Sequence, residues 1–273
     1  MRRVGKRSDA APPTDMFPTR IEHHATIGST MDRARALAAE GAPEGVVVWA
    51  DEQTAGRGTG GRRWQTPPGT QLAFSLLVRP PLAVAHLNRL TMWVGLVLQG
   101  VVQRLLPTPG VVQLKWPNDL LIAGRKAAGI LVEGAFDADR LHYAVIGVGL
   151  NVSAAPPDTD VDFPATCLTA QGGAPHDREA LLFDILRSLA DNYPQTLFLS
   201  DLKQRWRSAL WWPTAMVSVQ IGPERLIGRL TEVTETGALM LMTESGPQMI
   251  ETGRLRLAGT DPYNGPEGEP RDV

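Results

Sequence analysis

"LKWPNDLLIAGRKAAGILVEG", Leu114 to Gly134, consists of two apolar runs hinged on Gly124. It is entered through "VVQLK" and followed within a few residues by "LHYAVIGVGLNV", Leu141 to Val152. Runs this short, rich in leucine and β-branched side chains and broken by glycine, read as strands, and the turn at Gly124 pairs two of them as a hairpin. Trp116-Pro117 supplies a rigid turn with an amide, Asn118, and a carboxylate, Asp119, beside it. Lys126 then stands on a strand of glycine and alanine, where no bulky neighbour keeps a ligand from the backbone. A lysine inside an apolar strand is costly to bury unless it meets an anion; the alternative is an edge strand from which it reaches solvent.

On the amino-terminal side, Ser29 or Thr30 can cap a helix over Met31 to Glu40, ended by Gly41. Val46 to Ala50 and Gln71 to Val78 read as further strands, and Leu87 to Leu106 as a buried helix. The expectation is an α+β fold, a mixed β-sheet with flanking helices. On the carboxy-terminal side, proline and glycine mark a loop from Ala154 to Ala174. Asp177 then caps a helix running to about Tyr193, with Leu181, Leu182, Ile185, Leu186 and Leu189 as its buried stripe. A short helix carries Leu202 and Trp206. From Pro213 to Leu257 the glycine-punctuated runs "AMVSVQI", "RLIGRLTEV", "ALMLMT" and "GRLRL" have the spacing of a small antiparallel barrel. Residues 1–16 and 259–273 are expected to be disordered tails.

The 273 residues carry 27 lysines and arginines against 29 aspartates and glutamates, a net charge of −2, which disfavours a generally basic nucleic-acid binder. The single cysteine, Cys167, excludes an internal disulfide framework and a cysteine-based zinc site, fits a reducing compartment, and reads as a small buried hydrophobe rather than a nucleophile. Met1 to Ala11 is basic but lacks the apolar core of a signal peptide. Asn88, Arg89, Gln99, Gln103 and Arg104 interrupt the longest apolar stretch, so no membrane span and a cytoplasmic location are expected.

A second stretch, "DEQTAGRGTGGRRWQTPPGT" from Asp51 to Thr70, packs five glycines and three arginines behind the Val46 strand. Exposed backbone amides and guanidinium groups suit a ligand bearing phosphate or carboxylate oxygens. It is neither a Walker loop nor a dinucleotide fingerprint. Flexible, solvated loop is the other reading.

Together these stretches resemble the biotin protein ligases, also called biotin–[acetyl-CoA-carboxylase] ligases. The resemblance rests on "GRGTGGRRW" (Gly56 to Trp64), "KWPND" (Lys115 to Asp119), "RKAAGILVE" (Arg125 to Glu133) and "GVGLNV" (Gly147 to Val152), with "GSTM" at Gly28 to Met31 similar to the family's Ser-Thr-Asn stretch. It implies a catalytic domain over 17–210 and a small SH3-like carboxy-terminal domain over 211–258. It also implies the family's chemistry: biotin and ATP give biotinyl-5′-AMP and pyrophosphate, with Mg2+ accompanying ATP, and a lysine of a biotin carboxyl carrier protein or domain then takes the biotinyl group.

Carried over by position, Lys126 bridges the biotin carboxylate and the α-phosphate, Arg57 and Arg62 supply further positive charge, and Gly56 and Gly58 let the loop close over the intermediate. Ser29, Thr30 and Gln53 match positions that hold the ureido ring, with Gly129 and Gly147 bringing strand backbones close to the ligand. Asn118 and Asn151 are nucleotide contacts and Trp64 an aromatic near the adenine. Asp119 orients either magnesium or the incoming lysine; no other protein ligand for a metal is expected.

Thr59 stands where the family usually has an arginine, which predicts a looser hold on biotinyl-AMP unless Arg63 compensates. Too few residues precede position 17 for the DNA-binding winged helix of some members, so neither DNA nor membrane is an expected partner. A monomer or weak homodimer is expected. The rival readings are a lipoate or octanoate ligase, which shares the fold but whose substrate has no ureido ring, and a non-catalytic biotin or biotinyl-AMP sensor, which has no need of Lys126.

Overall fold

A computed structural model describes residues 17–64, 67–157, 164–174 and 176–259; the tails expected over 1–16 and beyond Gly259 lie outside the described residues. The first sheet has seven strands: β1 (Arg20–Ile27), β2 (Val46–Gln53), β3 (Gln71–Val78), β4 (Val112–Lys115), β5 (Asp119–Ile122), β6 (Arg125–Asp137) and β7 (Arg140–Asn151). Their spatial order is β1-β2-β3-β7-β6-β5-β4. Only β1 and β2 run parallel, joined through helix α1 (Thr30–Ala39); the remaining pairs are antiparallel.

Alternation along β2 explains the layering. Val47 and Trp49 point into the larger core, whereas Val46 and Val48 point the other way, against Met31, Ala34, Leu37 and Ala38 of α1. A strand covered on both faces reads as an unbroken apolar run, as Val46 to Ala50 does. The larger core receives Trp93, Val94, Leu98 and Val102 of α2 (Asn88–Leu105) and the predicted stripe Leu181, Leu182, Ile185, Leu186 and Leu189 of α3 (Arg178–Asn192). Asp177 caps α3 as expected, its carboxylate accepting from the backbone N–H groups of Glu179 and Ala180. Two short helices follow, α4 (Gln195–Phe198) and α5 (Leu202–Ala209).

The β5–β6 hairpin turns through Ala123 and Gly124, both at positive φ (48° and 74°), the pairing a two-residue connection of this hand requires. Its register then slips: Leu120 faces Ala128 but Leu121 faces Lys126, leaving Ala127 as an inserted residue. Asp119 faces Gly129, and simple alternation from Gly129 would send Lys126 to the opposite face of the sheet. The bulge brings Lys126 back to the face that carries Asp119. Lys126 is therefore on an interior strand, not the edge strand that would have led it to solvent.

A second, antiparallel sheet contains β8 (Val217–Ile221), β9 (Glu224–Val233), β10 (Leu239–Thr243), β11 (Gly246–Ile250) and β12 (Arg254–Leu257), in the order β11-β10-β9-β8-β12. Among the described residues no pairing joins β11 to β12, so the expected barrel is seen as an open five-stranded sheet. Its apolar face shares a core with the first sheet through Val217, Val219, Leu239, Leu241 and Leu255. Trp116 Nε1 donates to the Gly237 carbonyl at 2.9 Å, and the Trp211 N–H to the Leu114 carbonyl at 2.6 Å, tying the "KWPND" turn to the second sheet and to the junction before it.

Candidate active site

A cleft of about 680 Å3 opens over the middle of the seven-stranded sheet. Of the residues singled out from sequence it is lined by Ser29, Thr30, Gln53, Arg57, Arg62, Trp64, Asn118, Asp119, Lys126, Gly129, Gly147 and Asn151, gathered from four separate parts of the chain. Gly56 is the exception. An added Cβ there would come within 2.5 Å of the Trp64 carbonyl oxygen, so its bare Cα lets the arginine loop fold back on itself and does not face the ligand space. The turn is closed by Trp64 N–H donating to the Gly56 carbonyl at 2.9 Å.

One end of the cleft is uncharged and polar. The Thr30 N–H and hydroxyl both reach Gln53 Oε1, at 2.9 and 3.1 Å, and Thr30 Oγ1 lies 2.8 Å from Ser75 Oγ. Ser29 sits at the N-cap of α1 in extended conformation, yet its hydroxyl caps nothing: it is buried and has no partner among the described residues. A buried unpaired hydroxyl in a cleft wall fits one that a ligand engages. Gly147 does not lay its strand open to the ligand as expected, because Met31 of α1 occupies the space above it, with Sδ 2.7 Å from where a Cβ would be.

The other end is cationic. Lys126 Nζ lies 2.6 Å from Asp119 Oδ1, and Lys115 Nζ lies 3.8 Å from Asp119 Oδ2. Burial pushes the Asp119 carboxyl up, but Lys126 and Lys115 together hold it below the usual carboxylate range. Burial pushes the Lys115 ammonium down, against the attraction of Asp119. Asp119 is thus committed to two ammonium groups, a role the sequence reading did not include, and a carboxylate so neutralised is a poor magnesium ligand. No cluster of three or more His, Cys, Asp or Glu groups suited to a metal occurs among the described residues.

The indole of Trp64 lies flat against this floor. A Cβ on Gly149 would approach Trp64 Cε2 to 2.3 Å, and one on Gly129 would meet its ring at 3.2 Å. The glycines of β6 and β7 therefore admit an aromatic ring, so the strand around Lys126 is covered, contrary to expectation. The ring is fixed by Nε1 donating to Gln71 Oε1 at 3.0 Å and lies beneath Lys126 Nζ, 5.7 Å from the centroid. Asn118 donates to the Ile130 carbonyl at 2.5 Å, bracing β6, and Asn151 to the Thr166 carbonyl at 2.9 Å, leaving its buried Oδ1 without a partner among the described residues.

The arginines of the loop are individually restrained. Arg57 pairs with Asp32 at 3.0 Å and Glu133 at 3.3 Å, and Arg35 pairs with the same two carboxylates, a four-member network latching the loop to α1 and β6. Arg62 donates from Nε to the Thr59 carbonyl at 3.0 Å and from a terminal nitrogen to Thr59 Oγ1 at 2.8 Å. Arg63 donates to the Thr54 carbonyl at 2.7 Å. Residues that sequence reading left without a role complete the cleft: Lys115, Met31 and, from β12, Arg254 and Arg256. Lys115 was visible inside "KWPND", whereas no local signal tied β12 to the site.

Residues 25–151 match the model of the biotin/lipoate A/B protein ligase family. The chain is 42% identical over 234 residues to the biotin–[acetyl-CoA-carboxylase] ligase of Mycobacterium tuberculosis, covering 84% of this chain and 85% of that one. The chain belongs to the biotin/lipoate protein ligase family. It is also 33% identical over 251 residues to the bifunctional ligase/repressor BirA of Bacillus subtilis, covering 89% of this chain and 76% of that one. Among solved structures, the ligase-family fold superposes on biotin protein ligase from Aquifex aeolicus in complex with biotin and ATP, with a TM-score of 0.72, 27% identity, and 88% of this chain and 100% of that one covered. No helix among the described residues is long and apolar enough to cross a membrane.

Proposed function

We propose that this enzyme is an ATP-dependent biotin protein ligase that forms biotinyl-5′-AMP and pyrophosphate from biotin and ATP, then transfers the biotinyl group to a lysine of a biotin carboxyl carrier protein or domain. The observation that carries the reading is the polarity of one continuous cleft: uncharged hydrogen-bonding groups at Ser29, Thr30 and Gln53, and a lysine pair with Arg62 at the other end. A bicyclic urea on an aliphatic chain ending in a carboxylate matches the first half. A second anion, the α-phosphate, must be brought up to that carboxylate, and Lys126 and Lys115 stand where they offset the repulsion. Lipoate, whose ring carries no urea, leaves Ser29 and Gln53 unsatisfied, and a sensor has no need of a lysine aimed at the reacting groups.

In the attack, a biotin carboxylate oxygen bonds to the α-phosphorus and the bond to the bridging oxygen breaks, releasing pyrophosphate. In transfer, the carrier lysine's neutral amine attacks the mixed anhydride carbonyl, AMP leaves, and the proton goes to solvent or to AMP. Magnesium would offset phosphate charge when bound with the nucleotide, and Asp119, already paired with Lys126 and Lys115, is not assigned to hold it. The second sheet is read as the family's small SH3-like domain, giving 17–210 and 211–258 as the two domains, with β12 supplying arginines to the nucleotide end.

ATP–pyrophosphate exchange with biotin, lipoate, octanoate or no acid tests the reading. Exchange is expected with biotin alone and is lost in Lys126→Ala. Biotin binding without exchange would favour the sensor.

A further inference from the structure

We propose that Ser75, which stands behind Thr30 and does not itself line the cleft, fixes the one lone pair that Thr30 offers a ligand at the uncharged end; this rests on the functional reading above. The direction follows from which atoms can donate. A backbone N–H only donates, so the side-chain atom 2.9 Å from the Thr30 nitrogen is the carbonyl oxygen of Gln53, and it only accepts. The Thr30 hydroxyl, 3.1 Å from that same oxygen, must therefore donate to it. Having given its proton to Gln53, Thr30 can only accept from Ser75, whose hydroxyl is 2.8 Å away on β3 and fully buried.

The three side chains thus form a one-way relay, Ser75 to Thr30 to Gln53. Both lone pairs of Gln53 Oε1 are filled, so its amide nitrogen is the group it presents to the ligand. Thr30 retains a single lone pair. A ligand head held here has to offer an acceptor to Gln53 and an N–H to Thr30, while the Ser29 hydroxyl can donate or accept, and the edge of a cyclic urea offers both kinds of group. Without Ser75 the Thr30 hydroxyl keeps its bond to Gln53 but loses the donor that fixes the direction of its lone pair. Ser75 is a positioning residue acting through Thr30.

The test is pyrophosphate exchange with Ser75→Ala, Thr30→Val and the double variant, titrating biotin and ATP separately. Ser75→Ala is expected to raise the biotin KM about tenfold, or about 1.4 kcal/mol, with kcat and the KM for ATP unchanged. In the Thr30→Val background the same change is expected to cost less than about twofold, because the relay is already cut. A biotin KM for Ser75→Ala within about twofold of wild type, or an undiminished penalty in the Thr30→Val background, would overturn the proposal while leaving the ligase reading intact. Absence of biotin-dependent exchange in the wild type would remove both. If Ser75→Ala does not fold, Ser75→Cys substitutes a weaker donor of similar size; a KM a few-fold above wild type is expected and an unchanged one counts against the relay.

Discussion

Replacing Asp119 with asparagine probes the charge balance of the cleft. Asp119 faces Lys126 Nζ at 2.6 Å and Lys115 Nζ at 3.8 Å, with side-chain exposures of 13% for the carboxylate and 8% for Lys115. At an effective dielectric of about 20, a unit pair near 4 Å is worth about 4 kcal/mol before desolvation, and breaking a buried pair from one side costs about 3–5 kcal/mol net. Lys126 retains 21% exposure, and an asparagine oxygen still accepts from both lysines, which places the expected loss at the lower end, about 3 kcal/mol. For a chain of this size that corresponds to a fall in Tm of roughly 6–12 °C, readable by calorimetry near neutral pH.

The sign with pH follows from the depressed carboxyl. Asp119 stabilises the fold above its unfolded value of 3.8, and that contribution disappears as pH falls through the lower folded value, so the gap between wild type and Asp119→Asn closes only in acid. Anions restore what the substitution removes: saturating ATP and biotin are expected to raise the Tm of Asp119→Asn by more than that of wild type, because two unneutralised ammonium groups gain partners. A Tm loss below about 2 °C, under about 1 kcal/mol, would show that the pair is effectively solvated and refute this account of the cleft.

Lys115 gives the alkaline counterpart. Its folded pKa lies below 10.5, so between that value and 10.5 the unfolded chain binds more protons and stability rises with pH; Lys115→Met is expected to abolish the rise in denaturant titrations. Gly149→Ala puts a methyl within 2.3 Å of the Trp64 ring position and is expected to lift the indole off the floor, shifting tryptophan emission and raising the KM for ATP; unchanged emission and KM would place the ring elsewhere. Thr59→Arg is expected to slow biotinyl-AMP release and Thr59→Val to speed it, since Thr59 holds Arg62 while Arg63 is turned to Thr54; equal release from all three proteins would dissociate the loop from retention.

Much of the scaffold was legible because its signals are local. Gln71 to Val78 is a strand at its expected limits, and Asp177 announces α3 through a cap that depends on residues within one turn. β1, "RIEHHATI", was missed: its charged and histidine side chains give no apolar run, and it becomes a strand only by lying parallel to β2 at the sheet edge. β11, "GPQMI", was missed because Pro247 speaks against a strand, yet at the edge of its sheet a missing N–H is tolerated. In the site, residue types at motif positions were readable, but their orientation was not. The Ala127 bulge exists only in the register between β5 and β6, and the covering of Gly149 by Trp64 depends on a loop returning from eighty-odd positions away.

The wall formed by Gly253 to Arg256 also orders events on the ribosome. The residues of the polar end and the lysine pair have all been made once Asn151 has emerged, whereas β12 follows about a hundred residues later, roughly 5–20 s at ordinary rates of synthesis. For that interval the nascent chain carries the residues of the uncharged end without the two β12 arginines of the cleft. Because α3 and the second sheet also complete the core beneath the cleft, the core is closed and the charged end furnished in the same last stage of synthesis.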